Sequence, residues 1–303
     1  MRLAQWQEGG PMMPVLNLLR PHQWLKNGFV LLGLLFGQSW SDLDLIAAVG
    51  VAFVAFCMAS SAVYVLNDYH DREADARHPR KKIRPIASGS VSLHTARMLV
   101  AALVGGALLL PAGAGLWAVM AAVAAYLALN IAYTFKLKHV VLVDVFCIVA
   151  GFMIRLICGT YAVGITPSRW MLLCSFMLTL FLGFAKRRAE FGPAPSEGLV
   201  MQGSTRLVLR YYSPQLLDVL MAITVSMTIL TYGLYTLDPA TAALHGTENL
   251  IITLPIVTFG VFRYLYLIYG QGAGEDTGRD LLSDVQIRLA VAAWALAVFF
   301  LVR

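Results

Sequence analysis

Long apolar runs divide this chain and constrain its fold more than any other feature of the sequence. A helix needs about 20 mostly apolar residues to cross the hydrocarbon core of a bilayer. Of the 303 residues, 59% are hydrophobic and 13% are charged, so the chain has too little polar surface to cover a water-soluble globule. The sequence therefore predicts an all-α, polytopic integral membrane protein with about nine transmembrane helices in one domain, residues 1–303. The nine runs lie at about 29–38, 45–66, 98–112, 115–135, 140–161, 169–185, 216–236, 250–269 and 286–302.

Lysine and arginine are distributed unevenly between the connections, which predicts the orientation of the chain. Short cytoplasmic loops carry an excess of these residues. The connections on the other side carry almost only Arg169. We therefore expect a multi-pass protein of the bacterial inner (cell) membrane, with a cytoplasmic N-terminus and a polar cavity open to the cytoplasm. The basic residues of the predicted cytoplasmic side are Arg20, Lys26, Arg72, Arg77, Arg80, Lys81, Lys82, Arg84, Lys136, Lys138, Lys186, Arg187, Arg188, Arg206, Arg210, Arg279 and Arg288.

The net charge of +6 belongs to this predicted cytoplasmic face. Positive charge at a membrane surface attracts anionic lipids and phosphorylated substrates. We therefore expect such partners and the bilayer itself, and no nucleic acid. The sequence is also compatible with a homo-oligomer.

A segment after the second apolar run combines acidic and basic residues in an otherwise apolar chain. It reads Asn67-Asp68-Tyr69-His70-Asp71-Arg72-Glu73-Ala74-Asp75. On a helix, Asp68, Asp71 and Asp75 lie at i, i+3 and i+7, so their carboxylates share one face and repel unless a cation lies among them. Hard oxygen ligands suit Mg²⁺, which often shares its shell with substrate phosphates. Charge runs are often only solvated surface, but a surface helix would interleave lysines at i+4, so this spacing favours a metal site.

Basic residues follow this motif and end at Arg84-Pro85-Ile86-Ala87-Ser88-Gly89. Beside a bound metal, such a run predicts a grip on phosphates. An arginine held between a proline and a helix start can meet a diphosphate bidentately, which a lysine cannot do. The simpler interpretation is a turn followed by a helix start, with Ser90 or Ser92 as the N-cap.

Two ionisable residues, Asp144 and Arg155, fall within the fifth apolar run. They are eleven residues apart, which is about three helical turns along one face. Ionisable residues inside a membrane are costly, and they mark a functional site or a buried pair. We expect Asp144, close to Lys136 and Lys138 at the cytoplasmic end, to face a polar cavity. For Arg155, a structural pair and a functional role are both open.

The sixth run ends in Lys186-Arg187-Arg188-Ala189-Glu190. A positive-inside anchor explains three consecutive basic residues. Glu190 is not expected in an anchor, so a substrate-binding role is equally open.

Two features near the C-terminus carry less information. Arg263 precedes the end of the eighth run by about two turns, which an anchor does not explain. Glu275 and Asp276, with Asp280 and Asp284, form a second acidic patch. We expect this patch to be a solvated loop and not a second metal site.

The acidic motif resembles that of the UbiA-type intramembrane prenyltransferase superfamily. The resemblance rests on Asn67-Asp68-x-x-Asp71-x-x-x-Asp75 leading to Arg84-Pro85-Ile86-Ala87-Ser88-Gly89 in a chain with nine apolar runs. It implies an all-helical domain that opens to the cytoplasm and uses aspartate-bound Mg²⁺ to activate a diphosphate. Most members carry a second Asp-rich motif after the sixth helix, where this chain has Lys186 to Glu190. That difference argues against a prenyl diphosphate donor.

Several further segments resemble the branch that transfers 5-phosphoribose from phosphoribosyl diphosphate to a polyprenyl (decaprenyl-type) phosphate. The donor bears phosphate at both ends, so basic residues in place of acidic ones agree with it. The resemblance implies a Mg²⁺-dependent glycosyltransferase that releases diphosphate and supplies lipid-linked pentose for the cell envelope. The segments are Leu19 to Asn27, Tyr133 to Asp144, Lys186 to Glu190 and Phe262 to Tyr266.

The resemblance also implies roles for individual residues. Asp68, Asp71 and Asp75 would hold Mg²⁺, and Asp144 would help to orient substrate or metal. The residues expected to neutralise the diphosphate are Lys26, Arg84, Lys136 and Lys138. Those expected at the ribose 5-phosphate or the lipid phosphate are Lys186, Arg187 and Arg188. Asn67, Arg155 and Glu190 complete the predicted substrate-binding set.

Two other functions are open at this point. An aromatic prenyltransferase would use a polyprenyl diphosphate donor and would need a second acidic motif. A transporter of phosphorylated solutes or lipids would show internal repeats and broken helices in paired positions, and neither is clear here.

Overall fold

The computed structural model describes residues 13–37, 41–79, 81–191, 207–274 and 276–302. Within these ranges the regular structure is helical and no β-strand occurs. The chain starts with α1 (Met13–Leu19), a 3₁₀ helix (Pro21–Leu31) and α2 (Leu32–Gly37). The other α-helices are α3 (Leu43–His70), α4 (Arg72–Arg77), α5 (Leu93–Gly113), α6 (Trp117–Phe135), α7 (Val143–Ala162), α8 (Arg169–Ala189), α9 (Pro214–Leu237), α10 (Pro239–His245), α11 (Leu254–Gln271), α12 (Thr277–Ser283) and α13 (Val285–Leu301). Shorter 3₁₀ helices lie at Lys81–Ile83, Leu137–His139, Leu207–Tyr211 and Asn249–Thr253.

Seven helical segments among the described residues are long and apolar enough to cross a membrane. They are α3, α5, α6, α7, α8, α9 and the segment Asn249–Gln271, which contains α11. The pair α12 and α13, bent by 86°, gives an eighth if the two form one span. The all-α polytopic membrane fold is thus confirmed, but the predicted count of nine is not. In its described part, the first apolar run contributes only the end of a 3₁₀ helix and the six residues of α2.

Serine side chains cap the starts of several spans. At α5, the Ser92 hydroxyl accepts the backbone N–H of Thr95 at 3.0 Å. Ser168 and Ser213 cap α8 and α9 in the same way. Each cap satisfies a backbone donor that the helix leaves unpaired, and such caps are typically worth about 1 kcal/mol. The choice between Ser90 and Ser92 is therefore settled for Ser92, which ends the basic loop after the acidic motif.

The two largest apolar clusters of the core both include α7. One cluster joins α7, α8, α9 and α11 around residues such as Phe181 and Tyr264. The other joins α3, α5, α6 and α7 around residues such as Phe56. Because α7 lies between them, its two ionisable side chains are both buried, Asp144 in the first turn of the helix and Arg155 about three turns further on.

Glycines allow the N-terminal helical segment to pack on α7 at very short range. A Cβ added to Gly33 would collide with the backbone of Gly159, and one added to Gly159 would collide with the Val30 carbonyl. Glycine has no Cβ, so the two backbones can touch here. This contact holds the segment that carries Arg20 and Lys26 against the middle of the bundle.

Replacing Gly159 with alanine is therefore expected to destabilise the protein. Overpacking of this kind typically costs about 1–3 kcal/mol. The matched control is Gly50→Ala in α3, where nothing lies within 4 Å of the added Cβ and helix propensity favours alanine. Thermal unfolding of the purified proteins in detergent measures both. A G159A protein as stable as G50A would contradict the close contact.

Candidate functional site

The acidic motif lies where α3 ends and α4 begins. Asn67 and Asp68 occupy the last turn of α3, Asp71 separates the helices, and Asp75 lies in α4. The backbone of Asp71, with φ −86° and ψ 4°, interrupts the helix, so the three aspartates do not follow one straight helical face. Asp68 and Asp75 are buried, whereas the Asp71 side chain is 38% exposed. The motif thus turns two carboxylates inward and leaves the third near the surface.

Arginine side chains neutralise the two buried carboxylates. Arg20 donates from Nη2 to both carboxylate oxygens of Asp68, at 2.7 and 2.9 Å. Arg84 donates from Nη1 to Asp68 at 3.0 Å and to Asp75 at 2.7 Å. One guanidinium nitrogen therefore bridges the two aspartates. Charge-assisted hydrogen bonds of this kind are about twice as strong as neutral ones.

The end of α6 and its connection to α7 cover the other side of the motif. Lys138 donates to Asp71 at 3.0 Å. The Thr134 hydroxyl lies 2.5 Å from Asn67 Oδ1. Lys136, at the end of α6, is exposed. Three lysines, Lys26, Lys136 and Lys138, were predicted near the diphosphate, and Lys138 is the one in contact with the motif.

The donor chemistry of the motif fits Mg²⁺, although the residues are not arranged as a ready metal site. Among the described residues, no three His, Cys, Asp or Glu side chains are grouped to hold a metal. Asp68 and Asp75 nevertheless present hard oxygen donors to one shared cation, the Arg84 guanidinium. An ion between them would take the place of that nitrogen. Metal binding by Asp68, Asp71 and Asp75 remains a prediction, and it requires Arg84 to move.

A second polar network joins α7, α8 and the segment before α9. Arg187 is fully buried and donates from Nε to Asp144 at 2.5 Å. Its two other nitrogens donate to Glu190 at 2.7 Å and to the Tyr133 hydroxyl at 3.1 Å. The Tyr212 hydroxyl donates to the second oxygen of Asp144 at 2.8 Å. Asp144 is thus enclosed by an arginine and a phenol.

Tyr212 is fixed as a donor within this network. Its oxygen accepts the backbone N–H of Leu142 at 2.7 Å. Burial, together with the hydrogen bond to Asp144, raises the pKa of Tyr212 above its ordinary value. The phenol therefore stays protonated and keeps the 207–212 segment attached to α7.

The five residues that end α8 have different surroundings. All three nitrogens of Arg187 are engaged inside the protein, so its predicted contact with a substrate phosphate would require these bonds to break. Arg188 donates to Asp218 at 2.8 Å, and its side chain is 15% exposed. Glu190 accepts a hydrogen bond from Arg187. Lys186 directly precedes Arg187 in the last turn of α8. The segment serves first to hold α8 in place, and its predicted substrate contacts stay predictions.

Arg155 is held by neutral groups and aromatic rings. It donates to Asn27 Oδ1 at 2.7 Å, to the Gly151 carbonyl at 2.8 Å and to the Tyr126 hydroxyl at 2.9 Å. Its guanidinium also lies 4.4 Å from the centre of the Tyr126 ring. This residue therefore connects α7 to α6 and to the N-terminal 3₁₀ helix.

Asp276, which we expected in a solvated loop, contacts the N-terminal 3₁₀ helix instead. It accepts from Gln23 Nε2 at 2.6 Å, and its other oxygen lies 3.2 Å from His22 Nε2. Burial raises the pKa of Asp276. Hydrogen bonds from the Arg279 N–H and from Gln23, together with the charge of Lys26, lower this pKa by more than burial raises it. The net pKa lies below its ordinary value. The expectation of a solvated loop was wrong here because a residue 253 positions away covers the carboxylate.

Arg263, whose role was open, pairs with another residue of the same acidic patch. It donates from Nη2 to Asp284 at 2.8 Å. Asp284 also accepts the Ile287 N–H and so caps α13. This pair fixes the bend between α12 and α13.

Arg20 is the residue that sequence reasoning missed. It was noted only as part of the basic asymmetry, yet it makes the bidentate contact with Asp68. Its backbone is left-handed, with φ 52° and ψ 59°. The sequence around Arg20 and Pro21 gave no indication of this contact, because Asp68 lies 48 residues further along the chain.

The chain matches the UbiA prenyltransferase family over residues 28–279. It is 33% identical over 292 residues to a decaprenyl-phosphate phosphoribosyltransferase of Mycolicibacterium smegmatis, which covers 92% of this chain and 89% of the relative. A protein of the same name from Corynebacterium glutamicum is 31% identical over 296 residues, with 94% and 85% covered.

Solved structures share the fold at low sequence identity. A UbiA homologue from Archaeoglobus fulgidus bound to GPP and Mg²⁺ has a TM-score of 0.68 and 14% identity, covering 95% of this chain and 99% of that one. A digeranylgeranylglyceryl phosphate synthase has a TM-score of 0.63 and 18% identity, covering 96% and 98%. At these identities the likeness shows the fold alone.

The Asp144–Arg187 pair predicts a non-additive pattern of stability. Asp144→Leu leaves a buried guanidinium without its deepest anionic partner, which typically costs about 3–5 kcal/mol. The double variant Asp144→Leu/Arg187→Met removes both charges and is expected to recover part of that loss. Thermal unfolding in detergent measures both. A single variant as stable as the unmodified protein would contradict the pairing.

Proposed function

Because this chain belongs to the UbiA prenyltransferase family, we propose that it transfers 5-phosphoribose from phosphoribosyl diphosphate to a polyprenyl phosphate and releases diphosphate. The observation that carries the proposal is the number of cations around the acidic motif. Arg20, Arg84 and Lys138 reach its three carboxylates. A donor with phosphate at both ends needs more cations than a prenyl diphosphate does. The names of the relatives, which cover more than nine-tenths of this chain, agree with this donor and acceptor.

Asp68 and Asp75, with Asp71 beside them, would hold Mg²⁺. When bound, the ion would neutralise charge on the departing diphosphate. The arginines that would bind the diphosphate already lie next to these aspartates. Arg20 and Arg84 carry planar guanidinium forks that match phosphate oxygens as well as carboxylates. In our proposal these arginines leave the aspartates for the diphosphate.

The transfer itself needs little proton chemistry. The bond between C1 of the ribose and the diphosphate oxygen breaks, and diphosphate takes the electron pair. An oxygen of the lipid phosphate forms the new bond to C1. A phosphate monoester is already anionic near neutral pH, so no general base is required. The rate would depend on positioning and on stabilisation of the leaving group by this chain's cations.

Asp144 and Asn67 would act by positioning. Asp144 holds Arg187 and Tyr212, which keeps α8 and the 207–212 segment against α7. Asn67 accepts from the Thr134 hydroxyl at the edge of the motif and directly precedes Asp68 in the chain. These residues would shape the site without contacting the reacting bond.

The same arrangement supports a cytoplasm-facing site in the bacterial inner membrane. The acidic motif, Lys138, the end of α8 and Asp276 all come from connections that the basic residues place on the cytoplasmic side. Hydrogen bonds join these connections at one end of the bundle. A cytoplasmic N-terminus follows from that orientation.

The direct test follows radiolabelled phosphoribosyl diphosphate in the presence of polyprenyl phosphate and Mg²⁺. Label that moves into the organic phase as an acid-labile lipid supports the proposal. A prenylated aromatic product with prenyl diphosphate would return the chain to prenyl transfer. Mg²⁺-independent movement of substrate across liposomes would indicate a transporter.

Asp68→Asn is expected to abolish this transfer while the protein stays folded. Loss of one group that stabilises charge at a reacting centre costs about a hundredfold or more in rate. The control is Asp44→Asn, an exposed carboxylate at the other end of α3. Label transfer and thermal unfolding are measured for both variants. Activity retained by D68N would remove the motif from the mechanism.

Arg84→Lys tests whether the guanidinium fork matters beyond its charge. A lysine has a single nitrogen and cannot present the planar two-nitrogen fork that meets a diphosphate bidentately. The loss of one charge-assisted hydrogen bond predicts a fall in kcat/KM of about tenfold to hundredfold. Arg97→Lys, at an exposed position of α5, is the control. Equal kcat/KM in R84K and the unmodified protein would show that only charge is needed.

A further inference from the structure

A group of buried cations lies apart from the acidic motif, next to the N-terminal 3₁₀ helix. We name it the inner cluster and define it as Lys26, Tyr64, Tyr126 and Arg155. Lys26 interacts electrostatically with Arg155 and Tyr126. Arg155 is 6% exposed and Lys26 is partly accessible. The cluster therefore lies inside the protein, with only part of the Lys26 side chain accessible.

The positive charge of this cluster is not fully balanced by the protein. Among the described residues, no side chain hydrogen-bonds the Lys26 amine, and its only anionic neighbour is Asp276. Within the described residues, Arg155 likewise donates only to neutral acceptors, which belong to Asn27, Gly151 and Tyr126. Lys26 thus has one carboxylate in its surroundings, and Arg155 donates to none. Asp276 is itself engaged by Gln23 and His22.

Such an excess of buried charge needs an explanation. Burying an ion without a partner costs several kcal/mol, and ionisable groups inside membrane proteins mark functional sites by default. Of the two cations, only Arg155 has a structural role, because it connects three elements. Lys26 has no such role, since it donates to none of the described residues. An anion at Lys26 would satisfy both the amine and the local charge.

The side chains of Arg20 and Tyr64 lie between the inner cluster and the acidic motif. Arg20 lies with its guanidinium 5.1 Å from the centre of the Tyr64 ring and pairs with Asp68 on the other side. The Tyr64 hydroxyl donates to Gln23 at 3.3 Å. The inner cluster offers two cations and two phenols but no carboxylate, so it suits an anion that binds without a metal.

We propose that the inner cluster is a subsite for a phosphomonoester, with Lys26 as its main ligand. This inference rests on the proposed function, in which both substrates carry such a group. One source is the 5-phosphate of the ribose donor, and the other is the head of the lipid acceptor. In either case the diphosphate stays at the acidic motif. Lys26 is thereby moved from the diphosphate, where the sequence had placed it, to a second phosphate.

The test measures binding to the full-length protein in detergent without Mg²⁺. The probes are ribose 5-phosphate and farnesyl phosphate, titrated separately by calorimetry. Lys26→Met is expected to weaken binding by about tenfold to hundredfold, the effect of losing a charge-assisted hydrogen bond. Lys26→Arg is expected to restore most of it. Arg97→Met, at an exposed position of α5 outside the basic loop, is the control.

The two probes distinguish the sources. A loss confined to ribose 5-phosphate assigns the subsite to the sugar donor, and a loss confined to farnesyl phosphate assigns it to the lipid head. A loss of both means that the two compete for one subsite. Unchanged binding of both probes to K26M would overturn the proposal.

A second measurement does not depend on any variant being folded. Acetic anhydride modifies accessible lysines of the unmodified protein, and peptide mass spectrometry quantifies modification of Lys26 and Lys82. Either probe is expected to protect Lys26 more strongly than Lys82. Equal or lesser protection of Lys26 would also overturn the proposal. Because neither measurement involves turnover, a failure of phosphoribosyl transfer leaves these results standing.

Discussion

The cost of burying charge in a membrane protein governs this structure. An ion removed from water costs several kcal/mol unless an opposite charge and hydrogen bonds compensate it. Asp68 is therefore paired with Arg20, and Asp144 with Arg187. These pairs join residues 48 and 43 positions apart. The pairings that make the buried carboxylates tolerable are thus also the ones that hold the surrounding helices together.

The same pairings give the site its capacity to exchange partners. In the arrangement described here, protein cations satisfy the motif carboxylates. A substrate phosphate offers the arginines an equivalent partner, and a divalent cation offers one to the aspartates. The charges that the substrate and the ion bring would then be paired with side chains that the site already contains. The excess cations of the inner cluster extend this logic to a second phosphate, separated from the first by Arg20 and Tyr64.

Local patterns in the sequence predicted the membrane fold, the acidic motif and the basic groups near it. Lys138 and Arg84 followed from their spacing and from the positive-inside rule. The contacts of Arg20 and Asp276 did not, because each depends on tertiary packing across long stretches of chain. Hydropathy predicted nine apolar runs. It did not indicate that the first run is partly a 3₁₀ helix, or that Asp284 caps α13 at a sharp bend.

Phosphoribosyl diphosphate is the proposed donor of this protein, and the release of diphosphate tests this assignment most directly. The purified protein is supplied with Mg²⁺ and polyprenyl phosphate, and with either phosphoribosyl diphosphate or geranyl diphosphate. We expect release that depends on the polyprenyl phosphate with the first donor, and none with the second. Release only from geranyl diphosphate, in the presence of an aromatic acceptor, would contradict the account.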